Sequence, residues 1–322
     1  MRFVDVNGVH LSAIGVGCWQ FGSSDWGYGN DYGDKTAVDI LHRALDLGVN
    51  LVDTAEIYAR GASESIVGRA IAERRKEVFV ATKLTPVWPD ATHTYEHGRL
   101  SAMRLGIETI DLYQVHFPNP VMPAAQTMKG MRRLQDEGLV RNAGVSNYSA
   151  AQWRGAEEAL GHPVLSNQVR FNLLQRKPEK EVLPHAQAAD RLVIAYSPLG
   201  QGLLGGRYDK DNRPSSPTRL SNPLFLPENL DRVTPLIDTL RQVAKTHDAT
   251  PAQVALAWLV RQPNVVAIPG ASSVEQVEHN AAAADLELTE DDAQRLTAAS
   301  DRFQPVSGVA AVPKLIRSRF FS

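Results

Sequence analysis

The sequence is poor in the features that mark secreted, membrane-spanning and nucleic-acid-binding proteins. Cys18 is the only cysteine among 322 residues, which excludes an internal disulfide and a cysteine-built zinc site and fits a reducing compartment. Cys18 itself reads as a small buried apolar residue. Apolar residues nowhere run long enough to cross a bilayer, and the start MRFVDVNGVHLSAIGVG lacks the pattern of a secretory signal. The expectation is a cytoplasmic protein without a membrane role. Lys and Arg number 34 against 36 Asp and Glu, a formal net charge of -2, so no basic surplus exists to hold a nucleic acid. The histidines show no H-E-x-x-H arrangement and stand beside no cysteine cluster, so no metal is expected. Nor does a coiled-coil repeat or an interface segment appear, which leaves a monomer as the expected state.

What is present is a periodic alternation. At 43% hydrophobic content the chain can bury one large core, and a single domain over 1–322 is expected. Residues 4–11 read as a hairpin around Asn7-Gly8, since a type I′ turn needs positive φ at both central positions. Eight short apolar or β-branched runs follow, at 14–17, 51–53, 78–83, 110–116, 143–146, 165–169, 192–196 and 265–269. Most are followed by a segment of helical period with a start signal. The clearest is Thr250-Pro251-Ala252-Gln253, with an N-cap hydroxyl, a proline at the first helical position and a glutamine for the capping box; Ser273 to Gln276 and Thr289 to Asp292 share the spacing. Runs such as VFVA and LVIA are apolar on both faces, as parallel strands under helices require. Eight βα units favour a (β/α)8 barrel of the α/β class, with an open doubly wound sheet as the alternative.

Two stretches break the rhythm. Residues 200–229 are rich in Gly, Pro and Ser, and a long loop in a compact domain tends to be functional or mobile. The tail, 303–322, carries Lys314, Arg317 and Arg319 with no acid after Asp301. It is expected near the barrel mouth, with packing on a partner or disorder as the other readings.

In a parallel barrel the reactive groups gather at the C-terminal ends of the strands. Four polar residues stand there: Asp53 closes NLVD, Tyr58 follows in the loop, Lys83 closes VFVATK and His116 closes IDLYQVH. They fit together as a proton-donating site. An ammonium beside a phenol draws its high pKa down, so Lys83 is expected to ease proton transfer from Tyr58. Asp53 would supply the counter-charge a buried lysine needs, and His116 would orient a carbonyl. Singly, each has a plain structural explanation, such as turn capping, rim packing or a satisfied interior histidine; a lysine at the end of five strand-like residues is the hardest to explain so.

These motifs, with SE after NLVDTAEIY, GVSN, the Gln168 strand, AYSPLGQGLL and IPG ahead of a helix, resemble the aldo-keto reductase family across nearly the whole chain. The resemblance implies hydride transfer between a nicotinamide cofactor and an aldehyde or ketone, with Asp53, Tyr58, Lys83 and His116 as the catalytic tetrad and Tyr58 as general acid in reduction and base in oxidation. It implies that Ser146, Asn147 and Gln168 hold the nicotinamide carboxamide, that Tyr196 stacks on the nicotinamide, and that Ser197, Pro198, Leu199, Gly200 and Gly202 form a pyrophosphate belt. GQGLLG at 200–205 also satisfies G-x-G-x-x-G, but RYDKDNRPSSP after it cannot open the helix that the dinucleotide fingerprint needs. Gly270, Ser272, Gln276 and Asn280 match the adenosine end, where the family's basic residue is missing and His279 replaces an acid. NADPH is the expected cofactor, with NADH as the alternative; helix N-terminal amides at Ser272 and Ser273 could take a 2′-phosphate. Trp19, Trp88 and Phe117 lie beyond strand ends and could line an apolar pocket for a small carbonyl or alcohol substrate. Two other functions stand beside the reductase: a lyase forming a Schiff base on Lys83, and a nucleotide-binding regulatory subunit with little turnover, a type the family also contains.

Overall fold

The computed structural model describes residues 1–311 and 313. The chain opens with antiparallel strands β1 (Phe3–Val6) and β2 (Val9–Ser12), joined at Asn7-Gly8 with φ of 47° and 76° as the turn requires. Eight further strands follow at the expected places: β3 (Val16–Gly17), β4 (Leu51–Asp53), β5 (Phe79–Leu84), β6 (Ile110–Val115), β7 (Val140–Ser146), β8 (Ser166–Arg170), β9 (Leu192–Tyr196) and β10 (Val265–Ala267). They pair in chain order and in parallel.

The choice between an open sheet and a barrel is made at one seam. Ile14 bridges Ala267 in parallel, the Gly15 amide donates to the Ala267 carbonyl at 2.8 Å, and the Ala267 amide donates to the Ala13 carbonyl at 2.9 Å. The sheet is therefore curled back on its own first strand, and the doubly wound alternative falls. A side chain at Gly17 would place its Cβ 2.7 Å from the Ile268 carbonyl, so this close approach needs glycine.

Around the strands lie α1 (Asp34–Asp46), α2 (Ala62–Ile71), α3 (Ala91–Leu105), α4 (Ala124–Asp136), α5 (Ala150–Leu160), α6 (Val182–Ala189), α7 (Pro217–Leu220), α8 (Pro227–Thr246), α9 (Pro251–Val260), α10 (Val274–Ala282) and α11 (Glu290–Asp301). The capping box of Thr250 with Gln253 is formed, as is that of Thr289 with Asp292, and Ser273 caps α10 by accepting from the Gln276 amide. Every residue of β6 is buried, as two covered faces demand. Val6 and Leu11 of the hairpin join Leu51, Leu112, Ile194 and Val266 in one apolar cluster. The hairpin thus closes one end of the barrel and leaves the C-terminal face for the site.

The 200–229 stretch differs from the irregular loop expected. It holds 3-10 turns at Gly200–Gly205 and Pro223–Phe225, the short α7 and the start of α8, with Leu224, Phe225 and Asn229 buried. Prolines at first-turn positions nucleate these pieces where no long periodic pattern exists. No helix runs through 206–216, in keeping with rejection of the dinucleotide fingerprint. The stretch is tied across the barrel mouth: Thr218 Oγ1 donates to Asp25 at 3.0 Å, and the Arg219 guanidinium sits 4.7 Å from the Trp26 ring centroid.

The first part of the tail lies against α8, where the Val306 amide donates to Asn229 Oδ1 at 2.8 Å and Arg232 donates to the Gln304 carbonyl at 2.7 Å. Lys314, Arg317 and Arg319 fall outside the described residues. Among the described residues no helix is long and apolar enough to cross a membrane.

Candidate active site

Strand alternation puts successive side chains on opposite faces of the sheet, and in β4 and β5 it turns Asp53 and Lys83 inward. Lys83 Nζ donates to Asp53 Oδ1 at 2.6 Å, to the Thr54 carbonyl at 2.7 Å and to the Tyr58 hydroxyl at 3.3 Å. Lys83 and Asp53 are 0% and 2% exposed. Tyr58 begins a short turn, Tyr58–Gly61, that reaches back over the mouth, and His116 is the residue after β6, its ring edge-on to Tyr58 at 5.8 Å. The four tetrad candidates, spread over 64 positions of sequence, are thus brought into one cluster.

The electrostatics correct one expectation. Lys83 does pull on the Tyr58 phenol, but burial outweighs it and Asp53 opposes it, so the Tyr58 pKa stands above the ordinary phenol value. The ammonium cannot act as a free charge because Asp53 neutralises it at contact distance. Burial also acts against the Lys83 ammonium, yet Asp53 and Tyr58 outweigh it and raise its pKa, so the lysine stays charged. Burial lifts the Asp53 carboxyl, opposed by Lys83 and by bonds from Gln168 and Gln114. His116 is pushed down to about 3 by burial and by the Lys83 charge; it is neutral at physiological pH, and its Nδ1 is buried without a hydrogen-bond partner.

The residues proposed from sequence for a nicotinamide cofactor lie along the adjoining strand ends. Ser146 ends β7 and Asn147 follows in left-handed backbone, φ 62°. Tyr196 ends β9 with its ring partly exposed, its hydroxyl donating to Asn147 Oδ1 at 3.0 Å and the Arg170 guanidinium 5.4 Å from its centroid. Gln168 Nε2 donates to Asp53 Oδ2 at 2.7 Å, so it touches the tetrad directly. Beyond Tyr196, Ser197, Gly200, Gln201 and Gly202 all have positive φ, while Pro198 and Leu199 sit between them. Left-handed residues in such a run turn backbone N–H groups toward one side, the arrangement that suits an anion. A partly exposed ring, an orphan imidazole nitrogen and this run of amides fit a dinucleotide.

At the adenosine end Gly270 precedes α10, Asn280 Nδ2 donates to the Gly270 carbonyl at 3.3 Å, and His279 is exposed. Gln276 Oε1 accepts from the Ser272 amide at 2.9 Å and from its hydroxyl at 3.2 Å, so Ser272 already has internal partners. Sequence reasoning passed over Gln20, 8% exposed, whose Nε2 donates to the Ala271 carbonyl at 2.8 Å and whose Oε1 would lie 2.7 Å from a Cβ on Gly270. Its signal was a position just past a strand end, the same that marked the tetrad.

Of the pocket candidates, Trp19 is 41%, Trp88 62% and Phe117 46% exposed. Phe117 stacks on His116 with centroids 4.5 Å apart, and Trp19 meets Trp26 edge-on at 5.0 Å. A separate cleft of about 450 Å³ lies between residues 118–123 and the starts of α4 and α5, lined in part by Met122, Tyr148 and Gln152 and by none of the tetrad. His93 and His97 are four residues apart on α3, one helical pair of metal-ligand spacing in a sequence expected to imply none. Their rings stack at 3.8 Å and His97 Nδ1 is bonded to Glu56 at 2.6 Å; among the described residues no group of three or more His, Cys, Asp or Glu could hold a metal ion.

Residues 13–301 match the model of the Aldo/keto reductase family. The chain is 52% identical over 320 residues, 99% of both chains, to an uncharacterized oxidoreductase of Mycobacterium tuberculosis. Among solved structures it is similar to a glycerol dehydrogenase from Gluconobacter oxydans, with TM-score 0.85, 30% identity and coverage of 95% and 98%. It is also similar to an aldo-keto reductase from Klebsiella pneumoniae in complex with NADPH, with TM-score 0.74, 29% identity and coverage of 92% and 95%.

Proposed function

The chain belongs to the aldo/keto reductase family, and from that premise we propose that it reduces aldehydes and ketones to alcohols with NADPH, Tyr58 giving the proton. An oxidoreductase of carbonyl substrates using a nicotinamide cofactor follows from the family and from the Klebsiella relative's bound NADPH. The observation that carries the finer reading is the contact of Lys83 with both Asp53, at 2.6 Å, and the Tyr58 hydroxyl, at 3.3 Å.

When bound, the reduced nicotinamide supplies the hydride that goes to the carbonyl carbon. Tyr58 donates its phenolic proton to the carbonyl oxygen, and the phenolate left behind is held by Lys83. The raised Tyr58 pKa keeps that proton in place until the oxygen becomes basic, as a general acid needs. Neutral His116 offers a ring nitrogen to the same oxygen without adding a second positive charge beside Lys83. Ser146, Asn147 and Gln168 hold the carboxamide, Tyr196 stacks on the ring, and residues 197–202 cradle the pyrophosphate. Phe117, stacked on His116, gives the substrate side of the site an apolar face, with Trp19 and Trp88 as the other apolar candidates.

Preference for NADPH is supported by the Klebsiella relative's complex with NADPH. Arg207 lies against Tyr208, its guanidinium 4.6 Å from the ring, and Arg219 donates to the Gln201 carbonyl at 3.0 Å. These two cations lie beside the belt, where they would meet the pyrophosphate that NADPH and NADH share.

A lyase forming a Schiff base needs an unprotonated lysine in contact with substrate. Lys83 is fully buried, its ammonium is committed to three acceptors, and its pKa is raised, all of which oppose that chemistry.

The test is a fluorescence titration with NADPH and NADH, followed by aldehydes and ketones in the same cuvette. Tight binding and oxidation of the cofactor on adding a carbonyl support the reading. Binding without turnover across the panel favours a regulatory subunit, and no binding overturns the cofactor assignment.

A further inference from the structure

Behind the tetrad, on the outer side of β5, lies a second, partly buried ionic cluster that the reaction does not use. Thr82, next to Lys83, points to the opposite face and donates to Glu64 Oε1 at 2.6 Å. Glu64 stands in the first turn of α2 and is 0% exposed. Its other oxygen accepts from Arg104 Nε at 2.5 Å, and Arg104 comes from the last turn of α3. Arg104 also reaches Glu56, whose Oε2 lies 3.7 Å from Nη2. Glu56 is held in turn by the Thr85 amide at 2.5 Å and by His97 Nδ1 at 2.6 Å.

Glu56 and Glu64 are the two ends of the segment that carries Tyr58. Between them the backbone is strained: Ala59, Arg60 and Gly61 take φ of 46°, 56° and 89° in succession. Left-handed conformations at two non-glycine residues persist only where the surroundings enforce them. Arg104 bridges the two ends, hydrogen-bonded to Glu64 and ion-paired with Glu56 at 3.7 Å, and it passes so near the turn that a Cβ on Gly61 would lie 2.6 Å from its Cδ. Thr82 and Thr85 connect the same cluster to the strand that carries Lys83.

We propose that Arg104 is a positioning residue: by holding Glu56 and Glu64 together it sets the turn that places the Tyr58 hydroxyl at Lys83, and through it the rate of proton transfer. The inference rests on the assignment of Tyr58 as proton donor. The bonds and ion pairs of Arg104 go to Glu64, Ser101 and Glu56, none of which is proposed to hold substrate or cofactor, so its loss acts on the catalytic step and leaves binding alone. A displacement of the order of 1 Å in a reacting group costs up to about 100-fold in rate.

The test compares wild type with Arg104→Met and Arg104→Lys in the reduction of 4-nitrobenzaldehyde by NADPH, reading kcat, KM and the NADPH Kd separately. Arg104→Met is expected to lower kcat about 10- to 100-fold while KM and Kd stay within about twofold, and Arg104→Lys, which keeps a charge but cannot grip both carboxylates, to fall between. Should Arg104→Met fail to fold, Glu64→Gln with Arg104→Met removes the uncompensated carboxylate and is expected to show the same loss. A wild-type kcat in either folded variant overturns the proposal, as does a kcat that falls in step with Kd. Wild type that binds NADPH but reduces no carbonyl refutes the reductase reading instead; hydrogen exchange over 54–61 then decides, faster exchange in Arg104→Met supporting the bracket and unchanged exchange overturning it.

Discussion

Lys83 Nζ and Asp53 Oδ1 meet at 2.6 Å in the barrel interior, with both side chains all but sealed from solvent. Neither residue is tolerable there alone, because a buried charge without its partner is costly. Lys83→Met therefore leaves Asp53 uncompensated, and we expect a stability loss of about 3–5 kcal/mol, measured by urea unfolding. The variant should also lose carbonyl reduction, and borohydride with substrate should trap no adduct on wild-type Lys83.

Tyr58→Phe removes the proton donor and little else. Reduction should fall roughly 10²- to 10⁴-fold in kcat, while NADPH binding by fluorescence stays as in wild type, since Tyr196 and the 197–202 belt are untouched. Retained turnover would end the assignment.

The pH profile should be governed by the phenol. A general acid works in its protonated form, and a Tyr58 pKa above the ordinary value keeps that form present through neutral pH. Reduction should be flat there and decline only in the alkaline range, whereas alcohol oxidation, which needs the phenolate, should rise with pH. His116, at about 3, should add no limb between pH 5 and 8.

Gly270→Arg should restore a cation to the adenosine end. The Cβ would meet only the flexible end of Gln20, so the change is sterically tolerable. A charge-assisted bond to the 2′-phosphate should raise the NADPH-to-NADH affinity ratio about tenfold, read by paired titrations.

Gly61→Ala tests the turn directly. Its φ of 89° and the 2.6 Å approach to Arg104 Cδ predict a loss of at least about 1–2 kcal/mol from the left-handed backbone alone, seen as a lower urea midpoint, together with a lower kcat.

Sequence by itself marked the strands and the four polar residues that meet at their ends. Strand ends such as NLVD and VFVATK are legible because alternation and burial make a charged residue inside an apolar run conspicuous, and in a barrel those ends share one face. It also determined the caps at Thr250, Ser273 and Thr289, which depend on neighbours within one turn of helix. Tertiary structure alone decided the rest. Closure hung on the contact of Ile14 with Ala267, residues far apart in the chain with no local mark of their pairing. The direction of the Tyr58 shift depended on burial and on how closely Asp53 neutralises Lys83, distances no spacing encodes. The joining of Glu56, Glu64 and Arg104 between α2, α3 and β5 was decided by packing alone, because burial of a charge is a property of what surrounds it and not of the residue itself.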